Sequence, residues 1–279
     1  QRYFSVSDED GSLKEIFVSV RNVNEDYIEN VAQGNEKVIS ARLDDAMFFY
    51  EEDKKVLIED FNEKLKNVSF YHSLGSMADK VERIRVIGKI IGQKVGLSEQ
   101  ELEDFDRAAE LSKFDLSSLM VNEFTELQGV MGSYYAEHGD ERPAVVQAIR
   151  EQYMPTTSEG ELPRSNPGAV LALADKLDSV IMFYAAGQIP TGSNDPFALR
   201  RQAYGSLRIL LDKEWNIYMI ELIDEIIASI SYPDQEIKEN LYEQRQAILT
   251  FLKNRIRQHL EAGATKSDII EAILASSQD

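Results

Sequence analysis

GAVLALADKLDSVIMFYAAG, residues 168–187, decides how the chain must fold. Between its flanking glycines it is apolar on every face, apart from Asp175, Lys176, Asp178 and Ser179. A helix that is apolar all round is buried all round, so this one is expected at the centre, covered by other helices. Asn166 is the expected cap, with Pro167 at the first helical position. Upstream, PTTSEGELPRSNPG (155–168), with three prolines and two glycines, reads as a loop. The anomaly is charge inside the central helix. An ionised group removed from water without a partner costs several kcal/mol.

Outward from this segment the helical period continues in both directions. Upstream, apolar stripes run through Ile39, Leu43, Ala46, Met47 and Tyr50, then Leu57, Phe61 and Leu65, then Met77, Val81, Ile84, Ile91 and Val95. Ser98 and Glu101 have the spacing of a capping box. Further helices are expected at about 115–124, 126–137 and 143–153. Downstream, Asp195 and Pro196 repeat the cap-and-proline pattern, and 215–231, 236–261 and 266–276 read as helices. Only residues 3–6 and 13–23 read as strands, joined by the polar turn SDEDG. Two strands alone are marginal in water, so other strands are expected upstream of residue 1. QRYFSV begins as a strand and not with Met, so the chain reads as a fragment of something longer, a processed N-terminus being the alternative. The expected fold is mainly α: an irregular helical bundle with a short N-terminal β-hairpin. The expected domains are 1–34, the β-rich end of an upstream domain; 35–211, a helical domain; and 212–279, a helical extension.

Composition narrows the chemistry. The chain has 279 residues, no cysteine and three histidines, His72, His138 and His259. Disulfides, thiolate metal sites and cysteine nucleophiles are excluded, and a reducing cytoplasm is the expected setting. No run of about 18 apolar residues marks a membrane span. Net charge is −19, so the chain as a whole repels nucleic acid, and any such contact needs a local basic patch. One window fits: from Asp195 to Asp212 there are three arginines, Arg200, Arg201 and Arg208, and no acid between the ends. Arg201 and Arg208 share a helix face, and such a stripe suits RNA phosphates. The competing reading pairs these arginines with the surplus acids.

Asp115, in SKFDLSS (112–118), interrupts a mostly apolar stretch. With His72 and Asp175 it has separations of 43 and 60 residues. That order resembles the HD superfamily of metal-dependent phosphohydrolases, in which a His, a His-Asp pair and a distant Asp hold a divalent metal that activates water. Here the pair is Phe114-Asp115, so one ligand is missing. One imidazole and two carboxylates still suit a hard cation, bound weakly. The competing reading is a degenerate, empty site whose aspartates are satisfied by helix N-termini, Lys113, Lys176 or an arginine. Asp175 and Asp178, three apart, share a face; they either hold a metal together or pair with bases on a neighbouring helix.

Longer strings carry a second resemblance. GNEKVISARLDDAMFFYEED (34–53), KLKNVSFYHSLGSMADKVERI (64–84), FTELQGVMGSYYAEHG (124–139), PGAVLALADKLDSV (167–180) and IPTGSNDPFALRR (189–201) follow one another in an order that resembles the beta subunit of bacterial glycyl-tRNA synthetase. The resemblance covers residues 1–211 well and the last helices more loosely. It implies a heterotetramer of two alpha and two beta chains. The alpha subunit activates glycine with ATP and magnesium, and the beta subunit binds the glycine tRNA, ending in an anticodon-binding region. It implies that 35–211 is an HD-like domain departing from the full metal motif, and that no catalytic residue lies in this chain. An HD-type hydrolase acting on nucleotides or RNA phosphate ends remains the alternative reading.

Overall fold

The structure, a computed structural model, describes residues 3–22, 26–263 and 266–276. They form two compact units, residues 1–48 and 49–279. The first holds an antiparallel hairpin of β1 (Tyr3–Ser7) and β2 (Leu13–Ser19), in register Tyr3↔Ser19 to Ser7↔Leu13. Gly11, at φ +86°, closes its turn, and Tyr3 meets Phe17 edge-on across the strands. Val23, the end of the longer strand expected above, lies outside the described residues, as do Gln1 and Arg2. Helix α1 (Ile28–Asp53) follows and runs unbroken through Gly34. Its predicted stripe has the helical period but is not buried: Leu43 and Met47 are exposed. The sequence boundaries at 34/35 and 211/212 do not coincide with the division into units.

In the second unit the order is α2 (Ile58–Lys64), β3 (Ser69–Tyr71), β4 (Gly75–Ser76), α3 (Met77–Lys94), α4 (Glu99–Glu110), α5 (Leu119–Glu123), α6 (Val130–His138) and α7 (Pro143–Glu151). There follow α8 (Asn166–Ala185), α9 (Leu199–Asp212), α10 (Met219–Ser229), α11 (Gln235–Ala262) and α12 (Ser267–Ser276). The fold is mainly α, and α8 is its axis: every residue from Pro167 to Ala185 is buried. Helices α3, α4, α7, α9 and α11 all pack on it. The small β3–β4 pair was not foreseen. Where α3 crosses α4 a side chain at Gly88 has no room: a Cβ there would lie 2.0 Å from the Phe105 ring.

Local signals held where a side chain answers a helix end directly, as in the Ser98–Glu101 capping box. Two start sites move. The cap of α8 is Ser165, whose Oγ accepts from the Gly168 amide, while Asn166 is already helical and reaches Glu101. Helix α9 begins at Leu199, not at Asp195–Pro196. Ala198 turns left-handed at φ +52°, and the Asp195 carboxylate reaches back to accept the Leu199 and Arg200 amides at 2.8 and 2.9 Å. The expected helix 115–124 is a 3₁₀ turn (Phe114–Ser117) followed by α5. Two oxygens of buried Asp53 accept the Leu119 and Met120 amides there.

Candidate functional site

The charges of α8 sit in an ion cluster closed by α3. Lys80 Nζ lies 2.9 Å from Asp175 Oδ1 and 2.9 Å from Asp178 Oδ2. Arg83, one turn on, donates to Asp178 Oδ1 at 2.6 Å. Lys113, arriving just before the 3₁₀ turn, donates to Asp175 Oδ2 at 2.9 Å and stands 3.9 Å over the Tyr153 ring. Burial pulls the Asp175 carboxyl up, but Lys113 and Lys80 outweigh it and hold the group well below the usual carboxylate range. Burial likewise raises Asp178, and Arg83 and Lys80 overcome it. Lys113 goes the other way: burial lowers it, and the opposing pull of Asp175 does not restore it. Lys176, whose Nζ donates to the Tyr153 carbonyl at 3.2 Å, is lowered to about 8, first by burial.

Asp115 is fully buried and is held by amides, not by a base. Its Oδ2 accepts from Gly129 and Gly132 at 2.6 and 3.1 Å, at the start of α6. Gly129 is at φ +78°, and a Cβ at Gly132 would come within 3.0 Å of the same oxygen. Glycines let the backbone approach the carboxylate. Oδ1 has no hydrogen-bond partner among the described residues. Burial outweighs the two amides and the Lys113 charge, pushing the group up to about 6. Phe114 faces the apolar layer beside Phe61.

His72 is exposed, its ring edge-on to Tyr71. Placed so, His72, Asp115 and Asp175 do not fit a divalent metal: ammonium groups already neutralise Asp175, and amides hold Asp115. Among the described residues no group of three or more His, Asp or Glu side chains is arranged to hold one. His138 is exposed at the end of α6.

The arginines of α9 have separate surroundings. Arg208 donates to the Ser158 and Gly160 carbonyls at 2.8 and 2.9 Å, so it fastens the 155–168 loop. Arg201 is exposed and Arg200 half-buried. Among the described residues neither side chain has a hydrogen bond or ion pair with an acid.

Three bases were missed by sequence reasoning, although each left a signal. Lys80 and Arg83 stand four residues before Ile84 and Ile87, on the apolar face of α3. Arg255 stands four residues after Phe251 and seven after Ile248, and it is buried. A base that continues an apolar stripe is a base turned inward.

Residues 1–275 match the family model described as glycyl-tRNA synthetase beta subunit. The chain belongs to the glycyl-tRNA synthetase beta subunit family. It is 50% identical to the glycine–tRNA ligase beta subunit of Lactobacillus acidophilus over 280 residues, covering 100% of this chain and 40% of that protein. It is 52% identical to that of Ligilactobacillus salivarius over 281 residues, covering 99% of this chain and 40% of the relative. Lactobacillus helveticus has another at 50% identity, again covering 40% of its length. The chain thus spans about 40% of the relatives it matches. No helix among the described residues is long and apolar enough to cross a membrane.

Proposed function

We propose that this chain is the helical part of a glycine–tRNA ligase beta subunit that supports tRNA binding and assembly with an alpha subunit in the cytoplasm. Glycine activation with ATP and magnesium, and transfer to tRNA, belong in this reading to the alpha subunit, and no residue here is given a catalytic role. Family membership over residues 1–275 supports the ligase setting. The single observation that supports the tRNA role is the state of the α9 arginines. In a chain with 49 acids against 30 bases, the side chains of Arg200 and Arg201 make no ion pair with an acid among the described residues. A solvated cation left open on an acidic chain suits a phosphate backbone.

A hydrolase reading has the weaker support. It needs His72, Asp115 and Asp175 to share a metal, and their placement does not provide the donor set.

The test is aminoacylation by the complete heterotetramer carrying Arg201→Gln. The KM for glycine tRNA is expected to rise several-fold, and more than kcat falls. Lys66→Gln removes the same charge from an exposed Lys66–Glu63 pair and is expected to leave KM for tRNA alone. Equal KM values for the Arg201 variant and the wild type would overturn the reading, as would glycyl-adenylate formation by the isolated beta subunit.

A further inference from the structure

Beyond the α9 stripe, Arg255 is a buried cation with no hydrogen-bond acceptor at its Nε among the described residues. Arg255 on α11 is 9% exposed. Its guanidinium carbon lies 5.1 Å from the Phe251 ring centroid, and its Nε is buried with no hydrogen-bond partner among the described residues. Helices α9 and α11 pack together, and their register is fixed by Tyr204 Oη and His259 Nδ1, 3.2 Å apart. Arg200 stands one turn before Tyr204 and Arg255 one turn before His259, and the Arg200 charge acts on Arg255. Burial first, and then the Arg200 charge, hold Arg255 below the usual arginine value. The acid facing this pair is Asp195, and its two oxygens already hold the Leu199 and Arg200 amides.

The same molecule shows how a buried arginine is otherwise treated. Arg83, buried more deeply still, has Asp178 across from it at 2.6 Å. Two neighbouring guanidiniums with no carboxylate in ion-pair contact among the described residues suit an oxyanion, because planar N–H groups match phosphate oxygens. An open depression of about 350 Å³, lined by Tyr184, Gln246, Thr250, Phe251 and Asn254, lies at the Phe251 ring over which Arg255 stands. We propose that Arg200 and Arg255 form a two-helix oxyanion site that takes a phosphate group, and that this phosphate belongs to the tRNA backbone. The assignment to tRNA rests on the function proposed above; the oxyanion site does not.

The experiment uses the complete beta subunit with its alpha subunit. It compares the wild type with Arg255→Gln, Arg255→Lys and Arg201→Gln. Two quantities are measured: the Kd for glycine tRNA across a salt series, and the thermal shift caused by inorganic phosphate against chloride at equal ionic strength. Arg255→Gln is expected to weaken tRNA binding about tenfold and to lower the salt slope by roughly one. It should abolish the phosphate shift without lowering the ligand-free Tm, and Arg255→Lys should recover part of both effects. Loss of the phosphate shift with unchanged tRNA affinity would keep the oxyanion site and overturn its assignment to tRNA. Unchanged tRNA affinity and phosphate shift in Arg255→Gln would overturn the site, even if Arg201→Gln weakens tRNA and so upholds the broader reading. A ligand-free Tm several degrees lower in both Arg255 variants would make Arg255 a structural residue and overturn the site as well.

Discussion

The ion cluster on α8 and the arginines between α9 and α11 treat charge in opposite ways. In the cluster, Lys80, Arg83 and Lys113 each meet Asp175 or Asp178 at 2.9 Å or less. In the second region, among the described residues, no carboxylate is bonded to the side chains of Arg200, Arg201 and Arg255. Both regions belong to one strongly acidic chain, so a shortage of acids cannot explain the difference. A closed cluster is a feature of the fold: each charge is needed because the other is there. An open one, in the reading proposed above, takes its counter-charge from another molecule. The difference also separates two kinds of variant. Changes in the closed cluster should appear as lost stability, and changes in the open one as lost binding.

The largest expected effect is at Asp178. Asp178→Ala leaves Arg83 buried without its carboxylate and Lys80 with Asp175 alone, and breaking a buried pair from one side costs about 3–5 kcal/mol. Urea unfolding should show it. The sharper form is a double-mutant cycle with Arg83→Met. Removing both partners should cost clearly less than the two single losses added together, since residues in one network couple. Additive losses would mean that the cluster is not closed, and the contrast with α9 would fall.

Asp115 tests the comparison from inside the apolar layer, because it has amides but no base. Its carboxyl goes from an ordinary 3.8 to about 6 in the fold. A raised carboxyl is destabilising once ionised. Below about pH 4 both folded and unfolded forms hold the proton, and the penalty is absent. From about pH 4 to 6 the unfolded chain releases it first, so stability falls as pH rises. Above that, a shift of two units leaves about 3 kcal/mol of penalty in place. Asp175 and Asp178 have the opposite sign: their pKa values are depressed, so their contribution is present at neutral pH and lost on acidification. Asp115→Asn keeps an oxygen for the Gly129 and Gly132 amides. It is expected to flatten the pH 4–6 segment and to be the more stable protein at pH 7. A wild type whose stability rises through that window would contradict the burial argument.

How much of this was visible beforehand follows from the physics of each feature. The centrality of α8 was legible because an all-apolar period admits one placement. The α4 cap was legible because its partners lie three residues apart. The α9 start was not, since Asp195 caps it across a left-handed Ala198 that no local preference announces. The candidate trio of His72, Asp115 and Asp175 was assembled from spacing, and spacing does not record that Lys80 and Lys113 arrive between the helices. Arg255 is legible only in hindsight: a base on a long helix usually faces water, but Ile248 and Phe251 mark its side as the inner one.

Lys176 carries a smaller effect and a clear sign. Burial lowers its ammonium to about 8, so between about pH 8 and 10 the folded state has lost a proton that the unfolded chain keeps, and stability rises with pH there. Lys176→Met removes the penalty but also the bond to the Tyr153 carbonyl. The expected net gain is about 1 kcal/mol at pH 7, fading by pH 10 when followed by denaturant melts. A loss at pH 7 would show that this lysine belongs to the closed cluster after all.

The smallest expected effect is the one that defines the open region. Arg201 is exposed and bonded to no acid, so Arg201→Gln should change unfolding free energy by less than about 0.5 kcal/mol. The absence of an ion pair to it among the described residues also predicts that the small change will be independent of salt, whereas an ion pair in water weakens as salt rises. The pair of measurements is therefore informative together. A loss above about 1 kcal/mol that shrinks in high salt would reveal an acid partner within the chain, and Arg201 would move from the open region to the closed one. A flat stability profile beside a raised KM for tRNA is the signature of a side chain whose counter-charge is carried by another molecule.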